Sequence, residues 1–240
     1  TDVLGVYTAD PNICPKARKL DEISFEEMME MASQGAKVLQ IRSVELAMNH
    51  NVPIRVLSTF SDDPGTLVRA EEDSIERLTV RGISHNVNES KITIRGVPDK
   101  PGVASAIFSS LAHAQINVDV IVQNVSIAGC TDLSFTVART DQRQAEDIIR
   151  HLLPSLGSTA VEVDPDIGKV SIVGVGMRAH PGVAAAMFQA LAQASINIQM
   201  ITTSEIKVTC VVHRDAVKSA VVALHDAFHL DLPPSENPML

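Results

Sequence analysis

Ile92-Thr93-Ile94-Arg95-Gly96-Val97-Pro98-Asp99-Lys100-Pro101-Gly102-Val103-Ala104-Ser105-Ala106-Ile107-Phe108 is matched, at an offset of 80 residues, by Ile172-Val173-Gly174-Val175-Gly176-Met177-Arg178-Ala179-His180-Pro181-Gly182-Val183-Ala184-Ala185-Ala186-Met187-Phe188. The correspondence continues without a gap through Leu111 and Leu191, Ala114 and Ala194, Ile116 and Ile196, then Asn117 and Asn197. Self-similarity at one fixed spacing is the mark of a duplicated structural unit.

Each copy reads as strand, turn, helix, strand. Residues 91–95 are rich in β-branched side chains, and Pro98 with Pro101-Gly102 breaks the strand and makes a turn. Val103, Ile107, Leu111 and Ala114 recur at helical spacing and predict one apolar helix face. The run Val118 to Val125 is nearly continuous in Val and Ile, which predicts a strand in the middle of a sheet. A strand over 132–138 follows, then a helix over about 141–153 opened by an Asp141 cap and an acidic first turn, then a closing strand near 160–163. That order is a ferredoxin-like βαββαβ unit.

The second copy predicts strands at 197–201 and 206–212 and a helix over 215–228, but no final strand, because the chain passes into Leu232-Pro233-Pro234. A spare strand upstream of the first copy, 77–83, is expected to complete the second sheet. The units would then interlock, the first over 77–163 and the second over 164–232, with a tail at 233–240. Residues 1–70 differ. Phe25, Met28, Met29, Ala32 and Ala36 share a helix face that Ser24 and Glu27 start as a capping box, a second helix is expected over 43–50, and a strand over 54–58. Glu71-Glu72-Asp73 reads as a solvated linker. This segment holds too little core for a whole α/β domain. The expected fold class is α+β: two interlocked ferredoxin-like units preceded by a partial α/β segment.

Composition narrows the function. With 45% hydrophobic and 20% charged residues the chain is built to form cores. Its net charge of −9 and the lack of any dense Lys/Arg block argue against nucleic acid and anionic membranes as partners. No Trp, one Tyr and six Phe leave little for base stacking. Cys14, Cys130 and Cys210 are odd in number and widely spaced, which suggests neither a disulfide framework nor a zinc site and fits a reducing cytoplasm. No apolar run approaches the ~18 residues of a membrane span. The missing initiator Met and the opening inside a strand-turn suggest a fragment.

The repeated turn is where chemistry is expected. A helix N-terminus offers unpartnered N–H groups and the positive end of the helix dipole, a natural seat for a carboxylate. Asn117 and Asn197 end the same helices beside the next strand, and their amides can donate to a carboxylate and accept from an ammonium group. Together these features suit an α-amino acid. The plainer alternative, that Gly102 and Gly182 serve tight turns and the Asn residues cap helices, stays open. Gly174-Val175-Gly176 lacks the third glycine of a dinucleotide fingerprint, since Ala179 stands there. His225 and His229, four apart on a helix, lack a third metal ligand and read as a solvated helix end.

The run Thr1-Asp2-Val3-Leu4-Gly5-Val6-Tyr7-Thr8-Ala9-Asp10-Pro11, then Ser24-Phe25-Glu26-Glu27-Met28, Gly35-Ala36-Lys37-Val38-Leu39 and Asp63-Pro64-Gly65-Thr66-Leu67, resembles the C-terminal edge of the aspartate kinase catalytic domain. The repeats resemble the paired ACT domains that follow it in that family. The resemblance implies ATP-dependent phosphorylation of the aspartate side chain, with Mg, under feedback by lysine and threonine. It places nucleotide contacts at Thr1, Asp2, Tyr7, Lys37 and Val38, and Asn12 stands where the family commonly has an Arg. A first effector site is implied at Asp99, Gly102, Val103, Ala104, Asn117, Val118, Asp119 and Gln123. The second is implied at His180, Gly182, Val183, Asn197, Ile198, Thr203 and Ser204. Lys100 against His180, Asp119 against Gln199, and Gln123 against Thr203 make the two unlike, so different ligands are expected.

The family's N-terminal lysine motif and Gly-rich segment have no counterpart here. Phosphoryl transfer depends on cationic groups positioned around the phosphate, so the chain alone is expected to be inactive. Expected partners are amino-acid effectors, a second copy through the ACT units, and full-length kinase subunits. The alternative is a separately made amino-acid-sensing subunit that acts on a partner enzyme.

Overall fold

A computed structural model describes residues 1–71, 79–124 and 129–237. In chain order the elements begin with β1 (Glu22–Ser24), α1 (Phe25–Ser33), α2 (Ile41–Asn49), β2 (Ile54–Val56), β3 (Thr66–Arg69) and β4 (Gly82–Asn86). The first copy of the repeat follows as β5 (Glu89–Pro98), α3 (Val103–His113), β6 (Val118–Gln123), β7 (Cys130–Ala138), α4 (Gln142–Leu156) and β8 (Ala160–Asp164). The second is β9 (Ile167–Val173), α5 (Val183–Gln193), β10 (Ile198–Thr203), β11 (Lys207–His213) and α6 (Val217–Ala227). Two compact units result: Val87–Gly168, and Thr1–Asn86 together with the chain from Lys169 onward.

In the unit Val87–Gly168 the strand order is β6-β7-β5-β8, all antiparallel. Ile92, Ile94, Leu133 and Phe135 bury against Ile107 and Leu111 of α3 and Ala145 and Ile149 of α4. Phe108 meets Phe135 edge-on, with ring centroids 5.5 Å apart. Lys91, Thr93 and Arg95 alternate with the core residues and take the opposite face. There Arg95 pairs with both Asp132 and Glu162, and these two carboxylates are about half exposed.

Two expectations for this unit are corrected. The strand beginning at Val118 lies at the sheet's edge rather than its middle. Val120 is buried, its N–H donating to Thr136 Oγ1 at 3.3 Å, while Ile121, opposite Phe135 in the register, is 50% exposed, so the apolar run includes a side chain left uncovered in the single chain. Val125 falls outside the described residues. Helix α4 has Asp141 at its start, but its side chain makes no cap and the first turn holds no acid. Asp141 Oδ1 instead accepts from Thr140 Oγ1 at 3.0 Å. The helix also runs past Pro154 to Leu156, stopped by Gly157 in the left-handed region.

The other unit contains the interlock. Its main sheet has the order β10-β11-β9-β4, with β4 antiparallel to β9 in the register Gly82↔Val173 to Asn86↔Lys169. The spare strand therefore lies later than 77–83 and meets that stretch only at Gly82 and Ile83. The backbone of Thr79–Arg81 passes close over Gly174, where an added Cβ would sit 2.5 Å from the Thr79 carbonyl oxygen, and the Arg81 N–H donates to the Val173 carbonyl at 2.7 Å. Residues 72–78 lie outside the described residues, as does most of the acidic linker stretch.

Helices α5 and α6 cover one face of this sheet with Val170 and Ile172 beneath them, and the opposite face, with Ser171, Thr209 and Lys207, meets α1. Val173 joins the core of the N-terminal segment, among Leu20, Phe25, Met28, Val44 and Val68. Helix α1 starts as the sequence predicts. Ser24 Oγ accepts from the Glu27 N–H at 3.2 Å, and the Glu27 carboxylate accepts from the Ser24 N–H at 3.2 Å. The small sheet below it has the order β1-β3-β2, with β1 parallel to β3.

His225 is corrected too. It is fully buried on α6, sharing a 3.0 Å hydrogen bond with Thr8 Oγ1, whereas His229 is exposed. Burial holds its imidazole below the ordinary value; Asp231 and Asp226 oppose this, and Lys16 and Arg18 reinforce it. No helix among the described residues is long and apolar enough to cross a membrane.

Candidate functional site

Both repeated turns end in a glycine that only glycine adopts readily. Gly102 has φ 94° and Gly182 φ 102°, each at the N-cap of the helix that follows. A Cβ added to either would meet nothing within 4 Å, so the space above each helix N-terminus is open. The left-handed residues that end these helices are Gln115 and Ser195, not the asparagines. Asn117 and Asn197 stand two positions further on, exposed, directly before β6 and β10. The capping alternative for the asparagines is thereby removed.

In the first copy Asp99, Ala104, Asn117, Asp119 and Gln123 are exposed, while Val103 and Val118 are half-buried. The Val103 N–H is partly engaged by the Lys100 carbonyl at 3.4 Å. In the second copy His180, Asn197, Thr203 and Ser204 are exposed, Ile198 is half-buried and Val183 is buried. Neither set lines the open groove of about 650 Å³ between α3 and α4 or the cavity of about 300 Å³ near Arg18, Arg55 and Arg81.

The copies part company just before the turn. In the first, β5 runs on to Pro98. In the second, the strand stops at Val173 and Val175–Ala179 forms a 3-10 helix. The Gly174 N–H donates to the Ile206 carbonyl at 2.9 Å, and the Val175 N–H donates to Glu27 Oε1 at 3.1 Å. His180 Nδ1 donates back to the Gly176 carbonyl at 2.8 Å. Arg178 and Glu205 form a 3.2 Å ion pair between this 3-10 helix and the hairpin after Ser204. The Ser204 N–H donates to the Lys207 carbonyl at 2.8 Å, and Lys207 Nζ pairs with Glu30 at 2.8 Å.

Helix α1 thus holds the second copy at three points spaced along one stripe: Glu27, Glu30 and Gln34. Gln34 Oε1 accepts from Ser171 Oγ at 3.1 Å, and Ser171 Oγ lies 2.7 Å from Thr209 Oγ1. Sequence reasoning used Glu27 only as a capping residue and missed the stripe. Its signal is a polar 27, 30, 34 pattern at helical spacing beside the apolar Met28 and Met31.

The expected nucleotide contacts are spread along the N-terminal segment, at its start and between α1 and α2. Thr1 and Asp2 are exposed, with the Thr1 amino group donating to the Leu57 carbonyl at 3.1 Å. Tyr7 is half-buried and bridges to Lys19. Lys37, exposed, and Val38, half-buried, follow Gly35, whose added Cβ would lie 2.2 Å from the His85 carbonyl oxygen of β4. Burial lowers the His85 imidazole; Asp10 opposes and Lys37 reinforces that shift. Lys19 pairs with Asp63, and this hydrogen bond, with the Gly65 N–H, holds the Asp63 carboxyl below its usual range.

Comparison with known proteins agrees with this division. Residues 1–58 match the amino acid kinase family, and residues 92–153 and 170–228 each match the ACT domain. The aspartokinase of Pseudomonas aeruginosa is 54% identical over 235 residues, covering 97% of this chain and 57% of that protein. This chain therefore spans somewhat more than half the length of the curated relatives it matches. A crystal structure of aspartokinase alpha and beta subunits is 47% identical, covering 62% of this chain and 99% of that one, with a TM-score of 0.60. Escherichia coli aspartokinase III, 27% identical, superposes with TM-scores of 0.82 in complex with aspartate and ADP and 0.75 in complex with lysine and aspartate, over 95% and 94% of this chain and 51% and 50% of that one.

Proposed function

The chain belongs to the aspartate kinase family, and from that premise we propose that it senses lysine and threonine as feedback effectors of an enzyme that phosphorylates the side-chain carboxylate of L-aspartate with ATP and Mg. The observation that carries the effector reading is the paired turn. Two left-handed glycines leave open space over helix N-termini, and an exposed asparagine follows the far end of each helix. The effector's carboxylate would take the helix amides, and an asparagine from a second copy of the chain would receive its ammonium group. Asp119 against Gln199 and Gln123 against Thr203 give the two sites different preferences. Thr1, Asp2, Tyr7, Lys37 and Val38 are the edge at which ATP would be held.

A second copy of the chain is the partner we propose for β6 and β10. Ile121 and Ile201, equivalent in the repeat, are 50% and 44% exposed on these edge strands, and an exposed apolar strand edge favours pairing. Sedimentation at micromolar concentration checks this: a dimer is expected, and a monomer with and without lysine and threonine contradicts it.

Calorimetry with lysine and with threonine tests the effector reading. Binding in the micromolar to millimolar range is expected, with Asn117→Ala weakening one site by about 1–3 kcal/mol. Failure of both amino acids to bind, or an Asn117→Ala variant that binds as wild type, contradicts it. The structure of aspartokinase alpha and beta subunits, covered to 99% by part of this chain, favours one second reading, a separately made regulatory subunit. The mass of the native gene product separates the two.

A further inference from the structure

We propose that Glu27 is the positioning residue through which an amino acid bound at the second repeated turn acts on the nucleotide edge. This rests on the effector reading above and names the route by which that site regulates. Glu27 is fully buried, and its two carboxylate oxygens are committed in two directions. Oε1 accepts from the Val175 N–H at 3.1 Å, at the first residue of the 3-10 helix that ends on His180. Oε2 accepts from the Ser24 N–H and Oγ, both at 3.2 Å, and lies 3.4 Å from Arg81 Nε. One side chain therefore joins the turn expected to grip the ligand to the start of α1.

The far end of α1 leads through Gly35, packed on β4, to Lys37 and Val38. A ligand that orders His180 and Gly182 orders the 3-10 helix, because His180 Nδ1 bonds the Gly176 carbonyl within it. The buried hydrogen bond to Glu27 then favours one position of α1. The first copy has a continued strand in place of this 3-10 helix. The two effector sites are accordingly unequal: the second is wired to the kinase segment by a direct buried bond. A ligand shifts such an element only by binding one arrangement better than the other, which a weakened tie would reduce.

The test is amide hydrogen exchange on the full 240-residue chain, with lysine or threonine as the probe. Val175→Pro deletes the donated N–H and sets its ring Cδ against Glu27 Oε1, so it breaks the tie outright, at the first residue of a helical turn preceded by Gly174 already extended at φ 175°, ψ 131°. Glu27→Gln is the second variant, because Val175 and Ser24 bond different carboxylate oxygens and the amide must set an NH2 against one of them. In wild type, ligand is expected to slow exchange across residues 26–39 by about threefold or more, and both variants should lose that slowing while binding the amino acid with similar affinity. Ligand binding that leaves residues 26–39 unchanged, or slowing that survives in a folded variant, overturns the route while the effector reading stands. If neither amino acid binds, the effector reading and the route both fall.

Discussion

The two copies of the repeat share a glycine turn, a helix and a sheet order, but they differ in what lies against the face their helices leave open. In the first copy that face holds the Arg95, Asp132 and Glu162 pairs, half exposed. In the second, the same face is closed over by α1, and Lys169, Ser171 and Thr209 are buried beneath it. Duplication supplied two equal platforms, and the polar residues on their outer faces separated their roles. One presents its charges to water, where an ion pair adds little, and the other uses them inside, where each needs a partner.

The largest effect that follows from this contrast is at Glu27. Glu27→Ala leaves Val175, Ser24 and Arg81 without their buried acceptor, and a loss of about 3–5 kcal/mol is expected. Urea unfolding with exchange read per residue should show this loss in Thr1–Asn86 and Lys169 onward and not in Val87–Gly168. Next come the shared features. Gly102→Ala and Gly182→Ala force an L-residue into the left-handed region without any clash, so each should cost about 1–2 kcal/mol in its own unit, and unequal costs would break the equivalence of the turns.

Smaller still is a pH response confined to one unit. Burial depresses both His225 and His85, so the folded state favours their neutral forms. Their contribution is complete above the unfolded value of about 6.5 and is lost as pH falls through the lower folded values. Unfolding midpoints between pH 7 and 5 should fall for the unit holding these histidines, and His225→Gln should flatten the fall. The smallest effect is expected at Arg95. Its pairs with Asp132 and Glu162 lie at the surface, so Arg95→Gln should leave the midpoint of Val87–Gly168 within experimental error in high salt.

Sequence periodicity revealed the parts whose causes are local. The glycine turn, the α1 capping box and the strand lent to the second sheet all follow from residues near one another or from the repeat itself. The edge position of β6 did not, because an apolar strand facing a partner and one facing a second layer of helices carry the same residues. His225 was misread for a related reason: its partner Thr8 lies 217 residues away, and no neighbouring residue announces it. At the candidate site recurrence marked the left-handed glycines, and it marks the asparagines as a proposal. The tie through Glu27 was not, since a capping glutamate looks the same whether or not its second oxygen is used elsewhere.

The most direct test of the account is whether the N-terminal segment and the second copy behave as one body. Native-state hydrogen exchange in graded urea reads the opening free energy of each amide. Residues 22–69 and 169–228 are expected to open together at one free energy, with 89–164 free to open at another. Opening of 22–69 well below 169–228 would contradict the account, because α1 would then be an appendage and not the covering layer of the second sheet.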